Sequence, residues 1–140
     1  MRTCLVDRGP FVSYLDRKDP AHTDVAEFLD NFNGQLSTTG AVIGEVMYFI
    51  SELPDGPVSF AELLIASGTH IVSLAGPSEV LTAAELMYQY RDTPMDFADA
   101  TLVLLADKTG TTEILTLDRR GFSTYRTAKG KAFSLAIAYG

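Results

Sequence analysis

Residues 93–118 read TPMDFADATLVLLADKTGTTEILTLD, a stretch that combines a helix with the buried strand following it. The apolar period, with Thr93 available as a cap and a proline at the first helical position, predicts a helix from Pro94 to about Lys108. The strand Glu113–Leu117 is a nearly continuous apolar run, which is typical of a strand buried on both faces of a parallel sheet. A helix leading directly into such a strand indicates a fold in which helices alternate with parallel strands.

The rest of the chain continues this alternation. Four further strands are expected, at Cys4–Val6, Gln35–Ser37, Ile71–Leu74 and Ala132–Tyr139. Helical periods occur at Phe11–Leu15, His22–Phe32, Ala41–Glu52, Ser59–Ala66 and Pro77–Tyr90, and Pro54–Pro57 is expected to be a loop. In the last of these helices one face is expected to point inward, formed by Val80, Leu81, Ala84, Met87 and Tyr88. The pattern predicts an α/β sandwich around a mostly parallel sheet.

The composition is that of an ordinary globular protein, expected to form one domain over residues 1–140. Apolar residues make up 46% of the chain and charged residues 21%. The formal net charge is −7, which argues against a non-specific nucleic-acid binder. Five of the eleven basic residues nevertheless cluster without an intervening acid, at Arg119, Arg120, Arg126, Lys129 and Lys131. This segment is either a patch that contacts phosphates or a solvated loop.

Cysteine and histidine are scarce, which limits the chemistry. With two histidines and Cys4 as the single cysteine, a zinc site is not expected and an internal disulfide is impossible. The opening residues show no basic-then-apolar signal segment, and no apolar stretch approaches the roughly 20 residues of a membrane span. We therefore expect a cytoplasmic protein that does not enter a membrane.

Five acidic residues fall at the ends or beginnings of predicted elements. Asp7 ends the first strand and Asp118 ends the fourth, so both lie at the carboxyl edge of the sheet, where open parallel sheets bind ligands. Asp96 and Asp99 are three residues apart at a helix start and therefore share a face. Glu45 lies one turn into another helix, among apolar neighbours. The sequence therefore predicts that distant segments bring carboxylates to one edge of the sheet.

Such a cluster needs a positive partner. Two charges about 4 Å apart repel by roughly 4 kcal/mol at an effective dielectric near 20, whereas a whole domain is stable by only about 5–15 kcal/mol. Oxygen ligands with room for water suit Mg²⁺ or Mn²⁺, and such an ion can activate water against a phosphodiester. Because the expected site has no histidine or nucleophilic serine, metal-assisted hydrolysis is the simplest chemistry that the residues support.

Each acid also has a purely structural interpretation. Four of them could cap a helix or lie in its first turn, namely Asp7, Asp96, Asp99 and Asp118. Glu45 could instead be paired with Arg2 or Lys108. The joint arrangement favours a site more strongly than any single residue does.

Three blocks of the chain carry a family resemblance. They read LVDRGPFVSYLDRKDPAHTDVAEFL, STTGAVIGEVMYFI and MDFADATLVLLADKTGTTEILTLDRRGFSTYR. In this order, and over nearly the whole chain, they resemble the PIN-domain family, the VapC-like ribonucleases of bacterial toxin–antitoxin systems. The resemblance implies a three-layer α/β/α sandwich with about five parallel strands and dependence on Mg²⁺ or Mn²⁺. It also implies RNA as the substrate, a homodimer and an inhibitory antitoxin protein.

The resemblance also assigns roles to individual residues. The catalytic acids would be Asp7, Glu45, Asp99 and Asp118, and the metal ligands Asp7, Asp96, Asp99 and Asp118. Thr116 stands where the family commonly has a small hydroxyl residue near the metal. Arg119 and Arg120, in the basic segment, are further candidates for substrate contact.

Arg8 departs from the family pattern, which usually has Thr or Ser after the first acid. Its guanidinium could bind substrate phosphate, a use that its planar donors favour. It could equally pair with the acids and compete with the metal. The first interpretation gives a metal-dependent endoribonuclease, and the second a catalytically silent interaction module whose acidic pocket is occupied by Arg8.

Overall fold

The computed structural model describes residues 1–138, in which five strands alternate with seven helices. The strands are β1 (Thr3–Val6), β2 (Gln35–Thr39), β3 (His70–Val72), β4 (Glu113–Leu115) and β5 (Ser134–Leu135). The helices are α1 (Arg8–Leu15), α2 (His22–Asn31), α3 (Gly40–Ile50), α4 (Gly56–Ser67), α5 (Pro77–Gln89), α6 (Phe97–Thr109) and α7 (Arg119–Thr124). None of the helices in this part of the chain has the length and apolar character needed to cross a bilayer.

The strands form one parallel sheet with the order β3-β2-β1-β4-β5. Pairing of β1 with β4 sets Val6 opposite Leu115, and pairing with β2 sets Leu5 opposite Ser37. Right-handed crossovers place α1–α4 on one face and α5–α6 on the other, which agrees with the contacts of α1 with α2–α4 and of α5 with α6. The predicted three-layer sandwich with about five parallel strands is confirmed.

The strand order places a crevice between β1 and β4. From β1 the chain moves outward to β2 and β3, then returns to the other side of β1 for β4 and β5. In open parallel sheets, ligands bind at the carboxyl ends of the two strands where the direction reverses. Asp7 directly follows β1, and residues 116–118 directly follow β4. The topology thus brings the ends of these two segments to one crevice.

The core is built around the two central strands and α6. Residues of β1 and β4 such as Leu5 and Ile114 are no more than 1% exposed. Eight of the thirteen residues of α6 are buried, including Asp99 in its first turn. A polar side chain, Asp99, is therefore buried on this helix at the end that lines the crevice.

The predicted start of α6 is wrong, because the helix begins at Phe97 and not at Pro94. Asp96 is the N-cap, and its Oδ1 accepts a hydrogen bond from the Asp99 N–H (2.9 Å). In return, Asp99 Oδ2 accepts from the Asp96 N–H (3.1 Å). This reciprocal capping box satisfies two backbone N–H donors. The predicted cap, Thr93, makes no such bonds to the described residues. Pro94 therefore remains in the loop.

The predicted inward face of α5 is also largely wrong. The residues that turn toward the core are Ala83, Leu86, Met87 and Tyr90, whereas Val80, Leu81 and Tyr88 are 44%, 63% and 68% exposed. The predicted and the observed inward-facing residues both recur with helical spacing, so the apolar period alone did not show which set faces the core. The small side chain of Ala83 allows α5 to pack against α6, since the side chains at a contact set the distance between helices.

Several boundaries differ from prediction where caps and turns decide them. Part of the basic segment forms α7, because Asp118 Oδ1 accepts a hydrogen bond from the Gly121 N–H (3.0 Å) and caps it. Pro57 lies in the first turn of α4 instead of a loop. The third strand ends before Leu74, which has a left-handed φ of 50°. The last strand is limited to β5, and Tyr139 lies outside the described residues.

Candidate active site

Asp7 and Asp118 are held at the crevice by the ends of β1 and β4. The Asp7 N–H donates to the carbonyl oxygen of Leu115 (3.0 Å), which extends the strand ladder. Asp7 Oδ1 accepts from the backbone N–H of Arg8 (2.7 Å) and caps α1. Thr116 joins the two acids, because its hydroxyl donates to Asp7 Oδ2 (2.8 Å) and accepts from the Asp118 N–H (3.0 Å). Thr116 therefore lies between two of the acids, while its predicted place near a metal and its substrate role stay predictions.

Asp96 and Asp99 reach the same crevice from α6. Together with Asp118 they line a cavity of about 430 Å³, whose other lining residues are Arg8, Met87, Arg91, Pro94 and Met95. Asp99 is only 3% exposed, and its Oδ1 is buried without a hydrogen-bond partner in the described part of the chain. The capping box fixes the other oxygen of Asp99, so the free oxygen is held in place.

The pKa values show how closely the acids act on one another. Burial raises the pKa of Asp99 to about 8, and the charges of Asp7 and Asp96 add to the increase. Burial also raises the pKa of Asp7, with a contribution from Asp118 that opposes the hydrogen bonds Asp7 accepts. Four separated acids therefore share one electrostatic environment. Their catalytic and metal-binding roles stay predictions.

Arg8 lies inside this environment. Its Nη1 is 2.7 Å from Asp96 Oδ2, which makes an ion pair. Burial alone would lower the pKa of Arg8, but the charges of Asp7, Asp96 and Asp99 outweigh it and the pKa is raised. The guanidinium thus neutralises part of the cluster. To bind a substrate phosphate, as predicted, it would have to use the remaining donors of its planar fork or release Asp96.

Glu45 stands to one side of the other acids. It lines a separate cavity of about 390 Å³ with Ala41, Gly44, Tyr48, Phe97 and Ala98. It is not among the charges that perturb Asp7 or Asp99. The suggested pairing of Glu45 with Arg2 or Lys108 does not occur, because Glu45 forms no salt bridge within residues 1–138 and Arg2 pairs with Glu113 (2.6 Å). Glu45 therefore neighbours the cluster across the first turn of α6 without joining it.

The other predicted substrate residues lie outside the cavity. Arg119 and Arg120 are exposed in the first turn of α7, next to Asp118. They do not line the cavity that holds the acids. Their proximity to Asp118 along the chain leaves contact with a longer substrate as a prediction.

Three residues that the sequence did not single out support or border the site. Tyr125 is fully buried, donates to the carbonyl oxygen of Pro94, and has its pKa raised by burial and then by all four acids. A Cβ on Gly121 would collide with Asp118 Oδ2, so only glycine leaves that carboxylate room. Arg91 lines the cavity itself. The one available signal was closeness along the chain to predicted acids, since Gly121 and Tyr125 follow Asp118 and Arg91 precedes Asp96.

The residues fit an oxygen-bound divalent ion in their chemistry. Within residues 1–138, no group of three or more His, Cys, Asp or Glu side chains has its ligand atoms close enough to hold a metal ion. Most of the carboxylate oxygens are turned toward caps or toward Arg8. Asp99 Oδ1 is different, because a buried carboxylate oxygen without a partner is costly and a cation would relieve that cost. An all-oxygen donor set suits Mg²⁺ or Mn²⁺.

Known proteins resemble this chain in sequence and in fold. A family model described as PIN domain matches residues 4–128. Ribonuclease VapC26 of Mycobacterium tuberculosis is 32% identical over 132 residues, which covers 94% of this chain and 98% of that relative. The crystal structure of Mycobacterium tuberculosis VapC20, described as a Sarcin-Ricin loop cleaving toxin, superimposes with a TM-score of 0.71 at 16% identity. That match covers 81% of this chain and 87% of VapC20 and shows a shared fold.

Proposed function

This chain belongs to the PIN-domain family, and we propose that it is a metal-dependent endoribonuclease that acts as the toxin of a toxin–antitoxin pair. The observation that carries the proposal is the meeting of Asp7, Asp96, Asp99 and Asp118 at the crevice where the sheet changes direction. The relative with 32% identity is a ribonuclease by name, and this supports RNA as the substrate.

In the proposed enzyme, Asp7, Asp96, Asp99 and Asp118 would hold Mg²⁺ or Mn²⁺. When bound, such an ion supplies an activated water and stabilises charge on the leaving oxygen of a phosphodiester. Asp99, with its pKa near 8, would hold a proton at neutral pH in the metal-free protein and release it on ligation.

Two further side chains would assist the reaction. Thr116 would keep Asp7 and Asp118 aligned through the hydrogen bonds that it already makes to both. Glu45 would orient the water or the RNA from its own cavity, which is lined by Phe97 and Ala98 of the same first turn of α6 that carries Asp99.

The direct test is cleavage of total bacterial RNA by the purified protein. We expect discrete products when Mn²⁺ or Mg²⁺ is present at roughly millimolar concentration, which is the range that weak carboxylate sites require. We expect none in EDTA. Excess Mn²⁺ added after EDTA should restore cleavage, which controls for loss of folded protein. Intact RNA under every metal condition would contradict the proposal.

The proposed partners follow from the family. We propose a cytoplasmic homodimer that is inhibited by an antitoxin protein. Exposed apolar side chains on α3 and α5 offer surface for such contacts, among them Tyr48 (76% exposed), Phe49 and Leu81.

Light scattering should give twice the 15.2 kDa mass of one chain. A monomer at high micromolar concentration would count against the dimer, and unaffected growth of bacteria that express the chain would count against a toxin.

A second candidate function has one observation in its favour. The Arg8–Asp96 ion pair already places a cation among the acids (2.7 Å). If that pair is permanent, the chain is a catalytically silent interaction module. This alternative predicts that the wild-type protein neither binds a divalent metal nor cleaves RNA.

A further inference from the structure

Two arginines line the cavity that holds the acids, and they differ in their bonding. Arg8 is paired with Asp96. Arg91 forms no salt bridge with any carboxylate of residues 1–138, although Asp96, Asp99 and Asp118 line the same cavity. The positive charge of Arg91 is therefore not neutralised by an ion pair with the neighbouring acids.

Arg91 is nevertheless held in place. Its Nη1 donates to the carbonyl oxygen of Tyr88 (2.9 Å), and its guanidinium carbon lies 4.3 Å from the centroid of the Tyr88 ring. Both contacts orient the guanidinium without neutralising it, and they leave other donors of its planar fork for a ligand. Tyr88 is 68% exposed. Core packing therefore explains neither side chain.

Arg91 and Tyr88 would help the proposed reaction to attract its RNA substrate. The chain carries a net charge of −7, and the cavity is lined by three acids, so a polyanionic strand would be repelled there. A fixed arginine at the rim offsets that repulsion for one phosphate and can form charge-assisted hydrogen bonds to it. An exposed aromatic ring beside it is the usual platform for an unpaired base.

We propose that Arg91 and Tyr88 form a subsite for single-stranded RNA next to the acid cluster. Arg91 binds the phosphate adjacent to the one that is cleaved, and Tyr88 orients Arg91 while its ring stacks on the neighbouring base. The inference rests on the proposed ribonuclease activity and adds the residues that hold the flanking nucleotide. Neither residue touches the reacting phosphate, so both act on binding of the RNA.

The test is steady-state cleavage of a fluorescein-labelled oligoribonucleotide that spans a site mapped in total RNA, with Mn²⁺ present. Arg91→Ala and Tyr88→Ala are expected to raise KM about tenfold, the loss that one charge-assisted or stacking contact represents. Their kcat should stay within about twofold of wild type, since the contact is made equally in the bound RNA and in the transition state. Tyr88→Phe keeps the ring and should retain the wild-type KM.

Arg17→Ala is the matched control, because Arg17 is exposed just beyond the end of α1 that is remote from Arg8 and its removal changes the net charge equally. Its KM should match wild type. If wild type cleaves RNA but Arg91→Ala and Arg17→Ala have equal KM values, the subsite is overturned and the ribonuclease stands. If wild type cleaves no RNA in Mn²⁺, the proposed function fails and the subsite with it.

Discussion

Asp99→Asn is expected to lower the rate of RNA cleavage by at least about 100-fold, because a metal contributes several kcal/mol to the transition state and each 1.4 kcal/mol is a factor of ten. Asp99 has the free buried oxygen of the cluster, and the neutral amide of asparagine lacks the negative charge that a carboxylate offers to a hard cation. The rate would be measured on total RNA in Mn²⁺. Asp24→Asn, an exposed acid on α2, is the control and should cleave like wild type.

The same variant should be more stable than wild type when metal is absent. Asp99 titrates near 3.8 in the unfolded chain and near 8 in the folded protein. Between these values only the folded state keeps the proton, so wild-type stability falls as pH rises from about 4 to about 8. Asp99→Asn removes this dependence. At pH 8 we expect a gain on the order of 2 kcal/mol, allowing for relaxation of the site, since one pKa unit is about 1.4 kcal/mol.

Urea unfolding in EDTA across pH 4–8 measures this difference in stability. A variant that is more stable but inactive has lost the reaction and not the fold. If Asp99→Asn cleaved RNA at the wild-type rate, Asp99 would have no part in the reaction. A variant that is destabilised at pH 8 would show that the buried charge is already balanced within the protein.

Arg8→Met is expected to strengthen binding of Mn²⁺ about tenfold, because it removes a positive charge that the metal must displace or tolerate. Methionine keeps an unbranched apolar stem and loses only the guanidinium that pairs with Asp96 (2.7 Å). The measurement is the midpoint of thermal unfolding at increasing Mn²⁺ concentration. Arg17→Met is the matched control and should bind like wild type.

This titration also separates the two functions that Arg8 allows. An endoribonuclease binds the ion in the wild-type chain and more tightly in Arg8→Met. A silent module binds no ion until Arg8 is removed. Equal Mn²⁺-induced rises of the midpoint in wild type and Arg8→Met at every concentration would show that Arg8 does not compete with the metal.

Much of the fold was predictable because apolar periods decide it. Ile114, Leu115 and Thr116 of the run Glu113–Leu117 are buried, as is the strand at Cys4–Val6, and these positions identified the two central strands, although β4 ends at Leu115. The placement of Asp7 and Asp118 at one edge follows from strand direction alone. Asp96 and Asp99 were correctly grouped at the start of one helix, even though the helix begins later than predicted.

The remaining features depend on contacts between distant residues. The inward face of α5 was mistaken because two apolar stripes compete, and only packing against α6 selects the one with Ala83. The bond from Tyr125 to Pro94 leaves no periodic trace in the chain. Pairing of Arg8 with the acids was one of the two interpretations of the sequence, but the choice of Asp96 as the partner joins residues far apart in the chain.

The central claim is that carboxylates from distant segments tolerate one another because a divalent cation joins them. The most direct measurement is the thermal midpoint of the wild-type protein at neutral pH with and without Mn²⁺. At about 100 times the dissociation constant, an ion that binds only the folded state adds about 2.7 kcal/mol, or roughly 6–10 °C for a domain of this size. We expect that rise in wild type and its absence in Asp99→Asn. An unchanged wild-type midpoint at millimolar Mn²⁺ would contradict it.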